Sequence, residues 1–264
     1  MSERWLLPPL WFEACWSIAG LDEYPFPLSV ASHGETTEER SVLFQRAEPD
    51  MRAAGLLDGN GLTSRFGFAL ARIAKPGLWI EGLWNSSDSD GENTYSRLLA
   101  VAFEEGTILA AQAPGTTHGG DVEISFHRDP PGTAALRGMP PTPPGDKHRV
   151  AVPTSALKPA SDDEELDPMG SRLPPKLRQS VREIRELLDS AHARDGQFTA
   201  NHRDTMGRHQ RSSVLKWFDT ESGGRYGVTL RPSGGTEHEL AVAPLGPEEI
   251  SRSLESRVGE VRSG

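Results

Sequence analysis

The triplet His-Arg-Asp occurs twice in the 264 residues, at His127–Asp129 and His202–Asp204. It matches the order of a kinase catalytic loop, in which the Asp takes the proton of a substrate hydroxyl. The companions that chemistry needs are absent: no glycine-rich phosphate loop, no Val-Ala-x-Lys strand and no Asp-Phe-Gly, and Pro130 directly follows the first copy. Ser-x-x-Lys also occurs twice, at Ser155 and Lys158 and at Ser213 and Lys216. It activates a serine only on a helical turn, whereas Ser213 falls in an expected strand, which points it away from Lys216. His202 and His209 flank Asp204 across a turn without a set of ligands at metal spacing. Gly119-Gly120 is not followed by a helix N-terminus that could hold phosphate. These residues read as strand ends and turns, not as a catalytic or metal centre.

Composition narrows the class. The formal net charge is −10, the wrong sign for a phosphate backbone, which needs clustered basic surface. The single cysteine, Cys15, sits among Trp11, Trp16 and Ile18; it forms no intramolecular disulfide and suits a core position in a reducing cytosol. Residues 5–21 are largely apolar after Arg4, but Pro8, Pro9 and Glu13 interrupt them, unlike a secretory signal. No apolar run approaches the roughly 20 residues that cross a bilayer.

The elements that would carry a site follow from capping and periodicity. Thr36 and Glu39 form a capping box that opens a helix, with Leu43, Ala47 and Met51 as its stripe, a kink or restart expected at Pro49 and a stop at Gly55. A second helix from about Leu62 carries Phe66, Leu70 and Ile73 until Pro76. Strands are expected at 78–84, 96–103, 107–113 and 121–127, the last with Val122, Ile124 and Phe126 on one face and Asp121, Glu123 and Ser125 on a wet one. Residues 85–93, NSSDSDGEN, read as a hairpin loop after Trp84.

From Pro130 to Pro175 lie 11 of the 21 prolines, with an acidic run from Asp162 to Asp167. Missing amides and repelling charges make this an irregular linker, with one short strand at 150–152. Pro174 and Pro175 then open a helix whose stripe is Leu177, Val181, Ile184, Leu188 and Ala191, with Gly196 as its stop. Strands follow near 197–203, 212–219, 225–230 and 237–243, joined by tight turns at Gly223-Gly224 and Gly234-Gly235. A last helix over 247–258 starts at Pro247, with Glu248 and Glu249 at the positive end of its dipole.

Each half thus reads as a helix followed by a four-strand meander. The expected fold class is α+β: one domain over 1–264, two quasi-twofold halves at about 1–129 and 174–264, and a linker at 130–173. Trp79, Trp84, Trp217 and Phe218 fall on strands, where an aromatic is either core or a partner anchor on a wet face.

GQF at 196–198, Arg203-Asp204, Gly207-Arg208, WFDT at 217–220, GRY at 224–226 and VAP at 242–244 resemble the EspG family, cytosolic chaperones of actinobacterial type VII (ESX) secretion. Weaker echoes in the first half are PFPL at 25–28, HGETTEER at 33–40, AAGL at 53–56 and RLLA at 97–100. The chain departs from the family at 130–147, which usually holds a fuller amphipathic helix before the strand matched here by 150–153. The resemblance implies a central antiparallel sheet flanked by helical bundles, no cofactor and no enzymatic activity. It also implies cytoplasmic binding of PE/PPE-like helical-hairpin substrates, with no nucleic acid and no membrane insertion. The chain does not itself read as cargo, because it has no Trp-x-Gly turn and no Tyr-x-x-x-Asp/Glu signal.

By region, the expected partner surface is the loop with Trp84, Asn85, Ser86, Asp88, Asp90 and Glu92, and the last helix with Ile250 and Leu254 if that face is not core. The alternatives are an interaction module with an unrelated partner, and an enzyme using His202, Asp204 and Asp219.

Overall fold

The structure is a computed structural model, which describes residues 3–59, 61–87, 93–157, 173–222, 224–234 and 236–263. It is a mixed helix-and-strand fold with a large antiparallel sheet and six α-helices among the described residues. In chain order β1 (Arg4–Leu7), α1 (Pro9–Ile18), α2 (Thr37–Ala53), β2 (Leu57–Asp58), β3 (Gly61–Leu62) and α3 (Ser64–Ala74) come first. Then follow β4 (Leu78–Ser87), β5 (Asn93–Phe103), β6 (Gly106–Gly115), β7 (Val122–His127), α4 (Pro131–Ala135) and β8 (Val150–Pro153). The chain continues through α5 (Pro175–Asp189), β9 (His192–Arg203), β10 (His209–Arg211), β11 (Leu215–Thr220), β12 (Gly224–Gly234), β13 (Glu237–Pro244) and α6 (Pro247–Ser263). Among the described residues no helix is long and apolar enough to cross a membrane.

Two compact units interleave along the chain: Met1–Pro140 with Gln197–Val214 and Ile250–Gly264, and Pro141–Gly196 with Leu215–Glu249. Their borders do not fall at the two halves read from the sequence.

The first unit is built on the strand order β1, β7, β6, β5, β4, β9, with β10 paired to β9. Along β5 the residues Leu98, Leu99, Ala100 and Val101 are all buried, which is why the segment shows no alternation: both faces are covered. On one face α1 and α3 bring Phe12, Cys15, Phe66, Leu70 and Ile73 against Trp79, Leu99, Val101 and Ile108. On the other, α4 lies over β4, β5 and β6. The short element after α4 holds Gly138 so close to Leu98 that a Cβ would sit 2.4 Å from its Cδ1. Packing of α6 on α4 needs Gly132 in the same way: its amide donates to Glu255 Oε1 at 2.7 Å, and a Cβ would lie 3.0 Å from that of Leu254.

Helix α2 starts as its capping box requires, with Thr36 Oγ1 accepting the Glu39 amide at 3.1 Å. The Glu39 carboxylate reaches one residue further back than expected, to the Glu35 amide. Pro49 does not restart the helix, which runs unbroken from Thr37 to Ala53 with Pro49 and Gln45 on its exposed side. Gly55 ends the helix with φ +72°. On β7 the expected wet face is only partly wet, because Ser125 is buried and bonded to His127 Nε2 at 2.8 Å.

The second unit pairs β11, β12, β13 and β8, with α5 on one face. Val181, Ile184 and Leu187 pack with Val150, Val152, Phe218, Tyr226 and Val242. The expected stop of α5 at Gly196 is corrected: the helix ends at Asp189 and is capped by Ser190, whose hydroxyl donates to the Leu187 carbonyl at 2.8 Å, and β9 already runs through Gly196.

The expected irregular linker is corrected over 131–138, where α4 and a further helical turn form, while the short strand expected at 150–152 is present as β8. Pro131 serves as the first residue of α4, where a missing amide costs nothing. Residues 142–147 are stitched to β12 by Arg225 N–H to Pro143 O and Gly145 N–H to Arg225 O, at 2.8 and 2.9 Å. The acidic run at 162–167 lies outside the described residues.

Candidate functional site

The loop expected at 85–93 is shorter in the structure. Asn85, Ser86 and Ser87 continue β4 opposite Tyr95, Thr94 and Asn93 of β5, so the two strands form a long hairpin arm. Asp88, Asp90 and Glu92, three of the expected contact residues, lie at its end and outside the described residues. Trp84 is core, 5 % exposed, with its ring 6.3 Å from that of Phe198. Phe198 in turn lies flat across Gly82, where a Cβ would meet the ring at 2.4 Å. Trp84 is therefore an anchor of the arm and not part of its free surface. At the base of the arm, β5 shifts register between Tyr95 and Arg97, and the buried Arg97 guanidinium donates to the Tyr95 carbonyl at 2.8 Å.

The last helix runs five residues beyond the expected Val258. Its apolar stripe of Ile250, Leu254, Val258 and Val261 is entirely core. Ile250 and Leu254, at 1 % and 0 % exposure, are thereby removed as contact residues. The exposed face of α6 carries Glu248, Glu249, Arg252, Ser256 and Glu260.

The motifs that resembled chemistry have structural occupations. Asp204 accepts the Met206 and Arg208 amides at 2.9 Å each and Arg208 Nε at 2.7 Å, which closes the turn before β10 with Gly207 at φ +81°. The Arg208 contacts hold its carboxyl below the usual range. Asp129 pairs with Arg137 at 2.7 Å. Asp219, facing Arg225 across β11 and β12, is gripped through both oxygens at 2.7 and 2.9 Å. It also accepts from Arg194 at 3.2 Å and from Thr142 at 3.0 Å. The Arg225 guanidinium rests 4.5 Å over Trp217. Tyr226 donates to Asp146 at 2.9 Å and covers Gly145, where a Cβ would meet its ring. The WFDT and GRY motifs are therefore a buried ionic clasp.

His202 and His209 do not converge, since their registers on β9 and β10 place them on opposite faces of the pair. Ser213 is not on a strand but in the turn before β11, with its carbonyl taken by Arg257 Nε at 3.0 Å. Ser155 accompanies Glu237, and Lys158 is outside the described residues. Gly119 packs on the buried Gln112 side chain, which bonds both backbone groups of Ser29.

Sequence reasoning missed a surface groove of about 540 Å³ between the end of α1 and one side of α2. Ile18, Phe44, Met51 and Leu57 give it an apolar floor, and Arg40 and Glu48 its polar rim. Of the expected stripe of α2, Ala47 and Met51 are buried while Leu43 is only half-buried. The helix is thus covered along only part of its length. Isolated exposed apolar residues are Leu6, Phe26, Val42, Met206, Val214 and Leu230.

The sequence profile of the EspG family matches residues 8–256. The chain is similar to the structure of the Mycobacterium tuberculosis type VII secretion system chaperone EspG5 in complex with PE25-PPE41 dimer. Identity is 13 %, coverage is 96 % of this chain and 95 % of that one, and the TM-score is 0.63. That likeness establishes the fold. HtdX of the same organism aligns with a TM-score of 0.16, which carries no argument. A comparison with curated protein sequences returns no match.

Proposed function

Because the chain belongs to the EspG family, matched over residues 8–256, we propose that it is a cytoplasmic chaperone of type VII secretion that keeps PE/PPE-like helical-hairpin substrates soluble for export. The family match along nearly the whole chain carries this reading. The fold shared with EspG5, whose structure holds a PE25-PPE41 dimer, supports it. The role is binding and not catalysis: Asp204 and Asp219, two of the three residues of the alternative acid–base set, already spend their oxygens on a turn and on a clasp. The quasi-twofold relation of the two halves belongs to the same proposal.

We place the substrate contact at the end of the β4–β5 arm, with Asn85, Ser86, Asp88, Asp90 and Glu92, and on the polar face of α6.

Co-expression of the chain with a PE/PPE-like pair from the same genome, followed by size-exclusion chromatography, tests the role. A stable co-eluting complex is expected. Failure to co-purify with any such protein overturns it.

A further inference from the structure

The strand pair β9–β10 carries a second surface of different character. Within residues 202–211 the charged side chains are Arg203, Asp204, Arg208 and Arg211, and the two histidines add no fixed charge. The single carboxylate is committed to the turn and to Arg208. Arg211 bonds the buried Glu81 yet leaves half of its side chain in solvent, and Arg208 is 79 % exposed. Arg203 is exposed and has no carboxylate within 4.0 Å among the described residues.

These groups are held and not waving. The buried Trp79 takes the Arg203 guanidinium 5.6 Å from its ring centroid. The same indole stacks with His209 at 5.3 Å and 10°, while Asn201 Oδ1 lies 3.1 Å from His209 Nε2. The Asp204 turn then thrusts Met206 outward, 81 % exposed, the most exposed of the large apolar residues. Burial first, and then the charges of Arg203 and Arg211, lower the pKa of His209.

We propose that this hairpin is a docking site for an acidic, unstructured protein segment carrying an apolar residue. Arg203 and Arg208 would grip its carboxylates and Met206 its apolar side chain, because arginine suits planar carboxylates and methionine adapts to varied shapes. A hairpin tip is too small for a standard interface between folded domains but suits a linear segment. The charge argues for the same occupant. With −10 overall, the chain as a whole repels an acidic segment, so attraction has to come from a local basic patch, felt within a Debye length of about 8 Å. A broad anionic membrane or duplex would meet that repulsion over its whole contact.

The test is fluorescence anisotropy of a short Glu-rich peptide containing one leucine against the full chain, beside its Lys-rich counterpart. Saturable, salt-sensitive binding of the acidic peptide alone is expected. The double variant Arg203→Glu with Arg208→Glu should weaken it roughly tenfold or more, and Met206→Ser by a smaller factor. Arg46→Glu, an exposed reversal elsewhere, should leave it unchanged. If the double variant melts early, Arg203→Gln with Met206→Ser serves instead. Absence of binding, binding indifferent to these variants, or tighter binding of phosphatidylserine vesicles or a DNA oligonucleotide overturns the proposal. No PE/PPE-like protein enters the assay, so its outcome is independent of the substrate role.

Discussion

Arg225 takes both oxygens of Asp219 across adjacent strands, and both side chains are almost fully buried, at 4 % and 3 % exposure. Charges withdrawn from water this far depend on one another. Asp219→Ala should therefore cost about 3–5 kcal/mol by stranding Arg225, whereas Asp219→Leu with Arg225→Met should recover much of the loss. Thermal unfolding of the three proteins distinguishes the cases. A single variant as stable as wild type would show that the clasp does not stabilise the fold.

The two surfaces expected from sequence should separate into one that stabilises and one that binds. Leu254→Ala removes a fully buried side chain and should cost about 2–5 kcal/mol. Replacing residues 88–92 with a Gly-Ser segment of equal length should leave the melting temperature within a degree or two of wild type. The same replacement should weaken capture of a PE/PPE-like pair. Capture at wild-type strength would remove the arm from the substrate surface.

Cys15 lies against Met51, with sulfur atoms 3.8 Å apart, and burial pushes its thiol pKa to about 12. A thiol-specific disulfide reagent at pH 8 should leave the native protein unmodified and react stoichiometrically in guanidinium. Rapid labelling of the native protein would contradict the packing of α1 on α2.

His127 has its pKa lowered, first by burial and then by the Arg137 charge. The unfolded chain then binds a proton near pH 6.5 that the folded chain still refuses. Stability present above that value is lost as pH falls toward the lower, folded pKa. His127→Gln should flatten the decline of melting temperature between about pH 7 and 5. An unchanged slope would assign the decline to other groups.

Much of this architecture was legible before any coordinates. Capping oxygens and helix-ending glycines or prolines are local chemistry, so α2, α3 and the start of α6 stand where Thr36, Gly55, Pro76 and Pro247 place them. The meanders were legible because β-branched and aromatic residues recur between glycine turns. Residues 131–149 were not. Proline content signals missing donors but not surviving carbonyls, and Pro143 still accepts a hydrogen bond from β12. Nor could sequence decide whether Trp84 faced a partner or the core. That depended on Phe198, over a hundred positions away, lying across Gly82. The partners of WFDT and GRY were hidden for the same reason, since an aspartate and an arginine six residues apart meet only once β11 and β12 are in register.

The first unit draws its final pieces from the end of the chain: residues 197–214 and 250–264 belong to it, and α6 closes the sheet face over α4. Synthesis from the N-terminus therefore delivers the open edge of β4 and the outer side of α4 long before β9 and α6 cover them. Until α6 has left the ribosome, this unit stays open. Ribosome-arrested chains halted before Pro247 should be cut by protease within β4 to β7, and chains extended past the exit tunnel should resist. Equal resistance at both lengths would mean that α6 is dispensable for closure. A unit begun by the first helix and sealed by the last needs shelter in between.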